Sequence, residues 1–125
     1  MKMQSVVDPS LNTLTGYGPG WVEVNRVRHP GAVLVQPRGE VFAWDVTDWR
    51  ALAGAHFEAI LALSPEVVLL GTGSRQHFTH PRLHASLTAA RIGVEIMDTG
   101  AACRTYNILM AEGRKVLAAL IPPES

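Results

Sequence analysis

Pro65-Glu66-Val67-Val68-Leu69-Leu70-Gly71-Thr72-Gly73 is the stretch whose reading decides the fold. Val67 to Leu70 is an unbroken apolar run with two β-branched residues, closed at once by a Gly-x-Gly turn. A run of that length without polar alternation belongs to a strand covered on both faces, as in a parallel or mixed sheet under helices. A strand, a glycine turn and a helix in succession also mark the place where open α/β proteins bind ligands.

Upstream of this stretch, Trp49, Leu52, Ala53, His56, Phe57, Ile60 and Leu61 recur at helical spacing. Thr47 is the expected cap, Asp48 suits the first turn, and Ser64-Pro65 stops the helix. Downstream, Pro81 opens a second helix that carries Leu83, Leu87 and Ala90 inward and ends near Arg91. Val94–Met97 is a strand ending at Asp98. Thr99 then caps a third helix from about Gly100 to Glu112, apolar almost all round and so expected to be buried. Gly113 ends that helix, and Val116–Ile121 is the last strand.

Towards the N-terminus, Trp21–Val27 alternates apolar and polar residues like a half-buried strand. Ala32–Val35 and Val41–Trp44 follow as strands, separated by turns at His29-Pro30-Gly31 and Pro37–Glu40. Residues 1–19 read as an extended arm with one short strand. Strands linked through helices predict a parallel centre, and the opening meander supplies antiparallel edges. The expected fold is therefore α/β: one three-layer domain over residues 1–125, with a central mixed sheet, an N-terminal antiparallel meander and helices packed on the sheet.

A chain of 125 residues buries roughly two thirds of its unfolded surface and needs no disulfide or metal staple. Apolar residues make up 47% and charged residues 18%, a globular balance rather than a disordered one. Eleven basic residues against 11 acidic ones leave no global basic footprint, so nucleic acid is not an expected partner despite the local group Arg26, Arg28 and Arg38. A single cysteine, Cys103, excludes an internal disulfide and fits a reducing compartment. Met1-Lys2-Met3-Gln4-Ser5 lacks the features of a signal peptide, and no window approaches the roughly 20 apolar residues of a membrane span. A soluble cytoplasmic protein is the expectation.

Gly71-Thr72-Gly73, Met97-Asp98-Thr99, Ala102-Cys103-Arg104-Thr105-Tyr106-Asn107-Ile108-Leu109 and Glu112-Gly113-Arg114-Lys115-Val116 together resemble a small α/β family of bacteria and archaea. One mitochondrial member of that family is an assembly factor for respiratory complex I (NADH dehydrogenase). The close match covers Pro65 to Pro122, with a looser one reaching back through Gly16-Tyr17 and the strand at Trp21. The resemblance implies a three-layer domain with a central mixed sheet, and it implies no established catalytic activity.

Gly71-Thr72-Gly73-Ser74, helped by Arg75, has the composition of a turn that cradles a phosphate or carboxylate on backbone N–H groups. It is not a P-loop, and Gln76 occupies the third glycine position of a dinucleotide fingerprint. Asp98, Thr99, Arg104, Thr105 and Asn107 cluster near the start of the third helix. If Gly71 and Asp98 end neighbouring parallel strands, both turns share one sheet edge, and Gly71, Thr72, Gly73, Arg75, Asp98, Thr99, Arg104, Thr105 and Asn107 are the candidate ligand or anion site. The plainer alternative is structural: a tight turn, a helix cap and polar side chains that satisfy buried backbone groups.

Cys103 beside Arg104 is expected to be a small core residue rather than a nucleophile. His77, His80 and His84 have metal-like spacing but no fourth partner nearby, so neither a metal nor a cofactor is expected. Glu112 and Arg114, flanking Gly113, are the candidate structural ion pair. With no catalytic constellation assembled, the first expectation is a non-enzymatic protein-binding or assembly factor acting through an exposed sheet edge or loop face. Trp44, Trp49 or Phe78 would then lie in an exposed patch, and an open sheet edge makes a homodimer the expected alternative partnership. The second expectation is a small-ligand protein or enzyme using the Gly71–Arg75 and Asp98–Asn107 turns.

Overall fold

The structure is a computed structural model and describes residues 8–124. Two sheets are present. β1 (Leu14–Gly18), β2 (Trp21–Val24) and β3 (Val27–Pro30) form a three-stranded antiparallel sheet of their own. The five-stranded mixed sheet runs β5 (Phe42–Ala43), β4 (Val33–Val35), β8 (Val116–Ile121), β6 (Val67–Thr72), β7 (Gly93–Met97) in spatial order. β6 pairs in parallel with both β7 and β8, whereas β4 is antiparallel to β8 and to β5. The helices are α1 (Gly54–Leu61), α2 (Ala85–Ala89) and α3 (Thr99–Ala111).

The central strands are buried along their whole length, and alternation divides them between two cores. Val67 and Leu69 of β6, with Val116, Ala118 and Leu120 of β8, face α3 and the three-stranded sheet. Val68 and Leu70, with Leu117, Ala119 and Ile121, face α1 and α2. This is why the Val67–Leu70 run carries no polar residue: neither face meets water.

The opening meander is divided rather than continuous. Trp21–Val27 breaks at Asn25 and Arg26, which have φ values of 49° and 69° and form the two-residue turn of the β2–β3 hairpin. The Asn25 side chain accepts the Thr13 N–H (2.9 Å) and the Thr15 hydroxyl accepts the Arg26 N–H (3.0 Å), fixing the turn against β1. His29 and Pro30, expected in a turn, belong to β3.

Two caps also differ from expectation. Asp48, not Thr47, accepts the first free amide, from Arg50 (2.7 Å), and caps a short 3-10 turn over Trp49–Ala51. The chain then extends at Leu52 before α1 begins. His56 Nδ1 accepts the Ala53 N–H (3.0 Å), which leaves Nε2 as the donor to the Asp45 carbonyl (2.6 Å). At α3 the cap is Asp98, whose carboxylate accepts the Ala101 N–H at 2.9 Å, and Thr99 is released for another task.

His84 ends the 3-10 turn Pro81–His84, edge-on to Phe57 at 4.7 Å and 2.8 Å from the Thr79 hydroxyl. Burial pushes its pKa below the ordinary 6.5. The unfolded chain therefore takes up a proton before the folded one does, so stability is complete above about pH 6.5 and falls as pH drops below it. Urea midpoints followed from pH 7.5 to pH 5 should decline for the wild type. The His84→Gln variant should show a shallower decline, and equal slopes would remove His84 as the cause.

Candidate functional site

Gly71 and Thr72 end β6, Gly73 follows it, Asp98 joins β7 to α3 and Thr99 opens α3, so the structure brings these five residues together at one end of the strands. The two turns are tied to each other. Thr99 N–H donates to the Gly73 carbonyl (2.9 Å), Gly73 N–H donates to the Thr99 hydroxyl (2.8 Å), and that hydroxyl donates to the Ile121 carbonyl at the end of β8. Gly71 is needed for close approach: a Cβ there would stand 3.0 Å from both the Cα and the Oγ1 of Thr99. Gly73 has φ +100°, outside the range of ordinary L side chains.

Two of the backbone donors that would cradle an anion are engaged inside the chain. Gly73 N–H is held by Thr99, and Ser74 N–H by the Glu124 carboxylate at 3.2 Å. The Thr72 hydroxyl donates to the Arg75 carbonyl (2.7 Å) and accepts the His77 N–H (3.0 Å), closing the loop on itself. Glu124 occupies the place of an incoming carboxylate, a contact with no signal in the local sequence. The Arg75 side chain lies exposed.

The remaining candidates stand apart from these turns. Arg104 is exposed on the outer side of α3, and Thr105 is half-buried. Asn107 is eight residues past Thr99 in the same helix, about 12 Å along its axis. Its side chain faces β1, where Oδ1 accepts the Leu14 N–H (3.0 Å) and Nδ2 donates to the Leu14 carbonyl (2.9 Å). Beside it the Tyr106 hydroxyl donates to the Asn12 carbonyl (2.8 Å). Cys103 is buried in the core under α3, and burial pushes its thiol up to about 12, with Asp98 adding to the shift against Arg104. That is the reverse of what a nucleophile requires.

The expected Glu112–Arg114 pair is corrected by the structure: Arg114 Nε donates to Glu66 Oε1 at 3.0 Å. Glu112 is the residue at which α3 stops, and Gly113 (φ +82°) turns the chain away from it. The parallel pairing of β6 with β8 instead sets the residues before those two strands side by side. The same Glu66 oxygen accepts the Lys115 N–H (2.8 Å), and these bonds hold the Glu66 carboxyl below its usual range.

The histidines are engaged separately. His77 stacks on Trp49 with ring centres 4.1 Å apart, His80 Nδ1 accepts the Arg82 N–H (3.1 Å), and His84 sits with Phe57. Among the described residues no group of three or more metal-ligating side chains occurs. The aromatic expectation divides: Trp44 is buried with its Nε1 donating to the His56 carbonyl (3.2 Å), Trp49 is half-buried, and Phe78 is 76% exposed.

Two open grooves lie elsewhere. One, of about 460 Å³, runs between β5 and α1 and is lined by Leu34, Phe42, Trp44, Asp45, His56 and Leu63 among others. The second, of about 500 Å³, lies at the opposite end of the strands from the glycine turn, among Leu11, Pro37, Arg38, Met110, Arg114 and Lys115. Sequence reading identified neither, because their walls come from segments far apart in the chain.

Comparison with known proteins places this arrangement. The model of the family described as "Protein of unknown function (DUF498/DUF598)" matches residues 14–121. The chain belongs to this family. The bovine NADH dehydrogenase [ubiquinone] 1 alpha subcomplex assembly factor 3 is 38% identical over 104 residues, covering 82% of this chain and 55% of the relative. The chain thus spans about half the length of the curated assembly factors it matches. A Bordetella parapertussis protein known from a crystal structure superposes with a TM-score of 0.85 at 48% identity, covering 90% of this chain and 97% of the other. A Bordetella pertussis protein solved by NMR and described as a Mth938-like domain gives the same TM-score at 39% identity, covering 98% and 92%. The fold of the DUF498/DUF598 family is therefore the two-sheet, three-helix arrangement described above. Among the described residues no helix is long and apolar enough to cross a membrane.

Proposed function

We propose that this DUF498/DUF598 protein is a soluble, cytoplasmic, non-enzymatic factor that binds another protein during assembly of a larger complex. The observation that carries the reading is the end of the five-stranded sheet. The sheet terminates at β5, whose Phe42 is 40% exposed beside the apolar groove against α1. A sheet edge with an adjoining groove accepts an added strand whose backbone pairs with the edge while alternate side chains enter the groove. The assembly-factor relatives supply the class of partner to examine first, a subunit of a respiratory NADH dehydrogenase. The internal closure of the glycine and Asp98 turns makes the ligand-binding alternative the weaker reading.

The test is capture of crosslinked partners by the tagged chain from its own host cells, run beside Phe42→Asp. The wild type should recover a defined partner at least ten times more strongly than the variant, with both proteins melting at the same temperature. Deleting the gene should lower the amount of the assembled complex. Equal recovery by the variant, together with unchanged complex levels, would overturn the proposal. A second copy of the chain on the same edge would instead appear as a dimer in light scattering, lost in Phe42→Asp.

A further inference from the structure

The groove at the pole of the sheet opposite the glycine turn is bounded by the C-terminal turn of α3, the segment following β4 and Leu11. Its floor is apolar, from Leu11, Met110 and Val116, and its rim holds Arg38, Arg114 and Lys115. Three of the chain's 11 basic residues thus line one groove of about 500 Å³, and among the described residues no carboxylate lines it. Two acids close by are engaged, Glu66 by Arg114 Nε and the Lys115 N–H, and Asp8 by the Ser10 N–H and hydroxyl, while Glu112 is exposed between the lining residues Ala111 and Gly113. Arg38 gives one hydrogen bond, to the Ser10 hydroxyl at 2.9 Å, and Arg114 gives one, through Nε, to Glu66. A guanidinium has five N–H donors, so most of the capacity of both remains. The end of α3 contributes only about half a negative charge. The groove's described lining thus presents three cationic side chains and no carboxylate over an apolar base.

We propose that it receives an acidic segment of a partner protein, an apolar side chain seated on Met110 and Leu11 and flanking carboxylates held by Arg38, Arg114 and Lys115. This deepens the protein-binding reading and rests on it, while using a different face from the β5 edge. Charge complementarity selects the partner, and the apolar anchor distinguishes a peptide from a bare anion.

The probe is a fluorescein-labelled 12-residue peptide repeating Glu-Asp-Leu, titrated with the full chain in fluorescence anisotropy. Its Gln-Asn-Leu counterpart is the neutral control. The acidic peptide should bind saturably, at least ten-fold more tightly than the neutral one. The Arg38→Glu/Lys115→Glu double variant should weaken it at least ten-fold, whereas Arg104→Glu should leave it unchanged. The reversed side chains are exposed, so an unchanged melting curve verifies the variant's fold. No saturable binding, equal binding of the neutral peptide, or an unaffected double variant overturns the inference. So does displacement of the peptide by a 12-nucleotide oligothymidine that binds ten-fold more tightly. If the peptide fails while capture through Phe42 persists, only this inference falls. If the peptide binds while no partner is captured and the complex assembles normally, the assembly reading falls instead.

Discussion

Replacing Thr99 by valine should lower folding stability by about 2–4 kcal/mol, although the two side chains have nearly the same shape. The hydroxyl of this fully buried residue accepts the Gly73 N–H at 2.8 Å and donates to the Ile121 carbonyl. One atom therefore joins the ends of β6 and β8 to the start of α3. Valine keeps the packing but leaves a buried N–H and a buried carbonyl without partners, each costing about 1–3 kcal/mol. Water has little room to replace the hydroxyl, because Gly71 already brings the β6 backbone into contact with Thr99. Thr99→Ser separates the two contributions: it keeps both hydrogen bonds and loses one methyl group, about 1 kcal/mol. Urea denaturation followed by tryptophan fluorescence measures both variants. A valine variant within 0.5 kcal/mol of wild type, roughly the scatter of an ordinary surface change, would mean that the hydroxyl is not what holds the three ends together.

The residues legible in the sequence were those whose environment is uniform along the chain. Val67–Leu70 and Val116–Ile121 are buried on both faces, so their apolar runs reported strands without ambiguity. The helical spacing around Phe57 and Ile60 likewise marked the face of α1 that meets the sheet. What escaped depended on geometry that local composition does not encode. The break at Asn25-Arg26 shows in the sequence only as two polar residues in succession, and an arginine with positive φ carries no turn signal of its own. Asp98 and Thr99 are both good capping residues, and only the nearness of Gly73 and Ile121 decides which of them caps. Sequence proximity offers Glu112 to Arg114, whereas parallel strand pairing delivers Glu66. The two grooves are harder still, since each wall is ordinary alone and becomes a site only when distant segments meet. Legibility followed the range of the interaction: periodic burial is written locally, and convergence is not.

Asn107→Ala is the second large effect, about 1.5–3 kcal/mol, and it should be felt unevenly across the molecule. The Asn107 amide pairs with both the N–H and the carbonyl of Leu14, at 3.0 and 2.9 Å, as a neighbouring strand would. Leu14 starts β1, and the sheet it opens adds Val22 and Val24 to the core beneath α3. Alanine leaves the strand start without either partner, so the three-stranded sheet loses one of its ties to the helix while the five-stranded sheet keeps its own pairing. Amide hydrogen exchange should therefore quicken over Leu14–Pro30 and change little in β6 and β8. Asn107→Asp sharpens the test. Its ionised carboxylate still accepts the Leu14 N–H but faces the Leu14 carbonyl with a second acceptor, raising its own pKa. Protonation restores a donor at that position, so the folded state takes up the proton more readily than the unfolded one. The aspartate variant should accordingly recover stability relative to wild type as pH falls towards 4, near the ordinary Asp value of about 3.9. A variant that stays equally destabilised at every pH, or exchange that quickens throughout the molecule at once, would refute the strand-like pairing. The first outcome would reduce Asn107 to a space-filling residue, and the second would make the small sheet inseparable from the core.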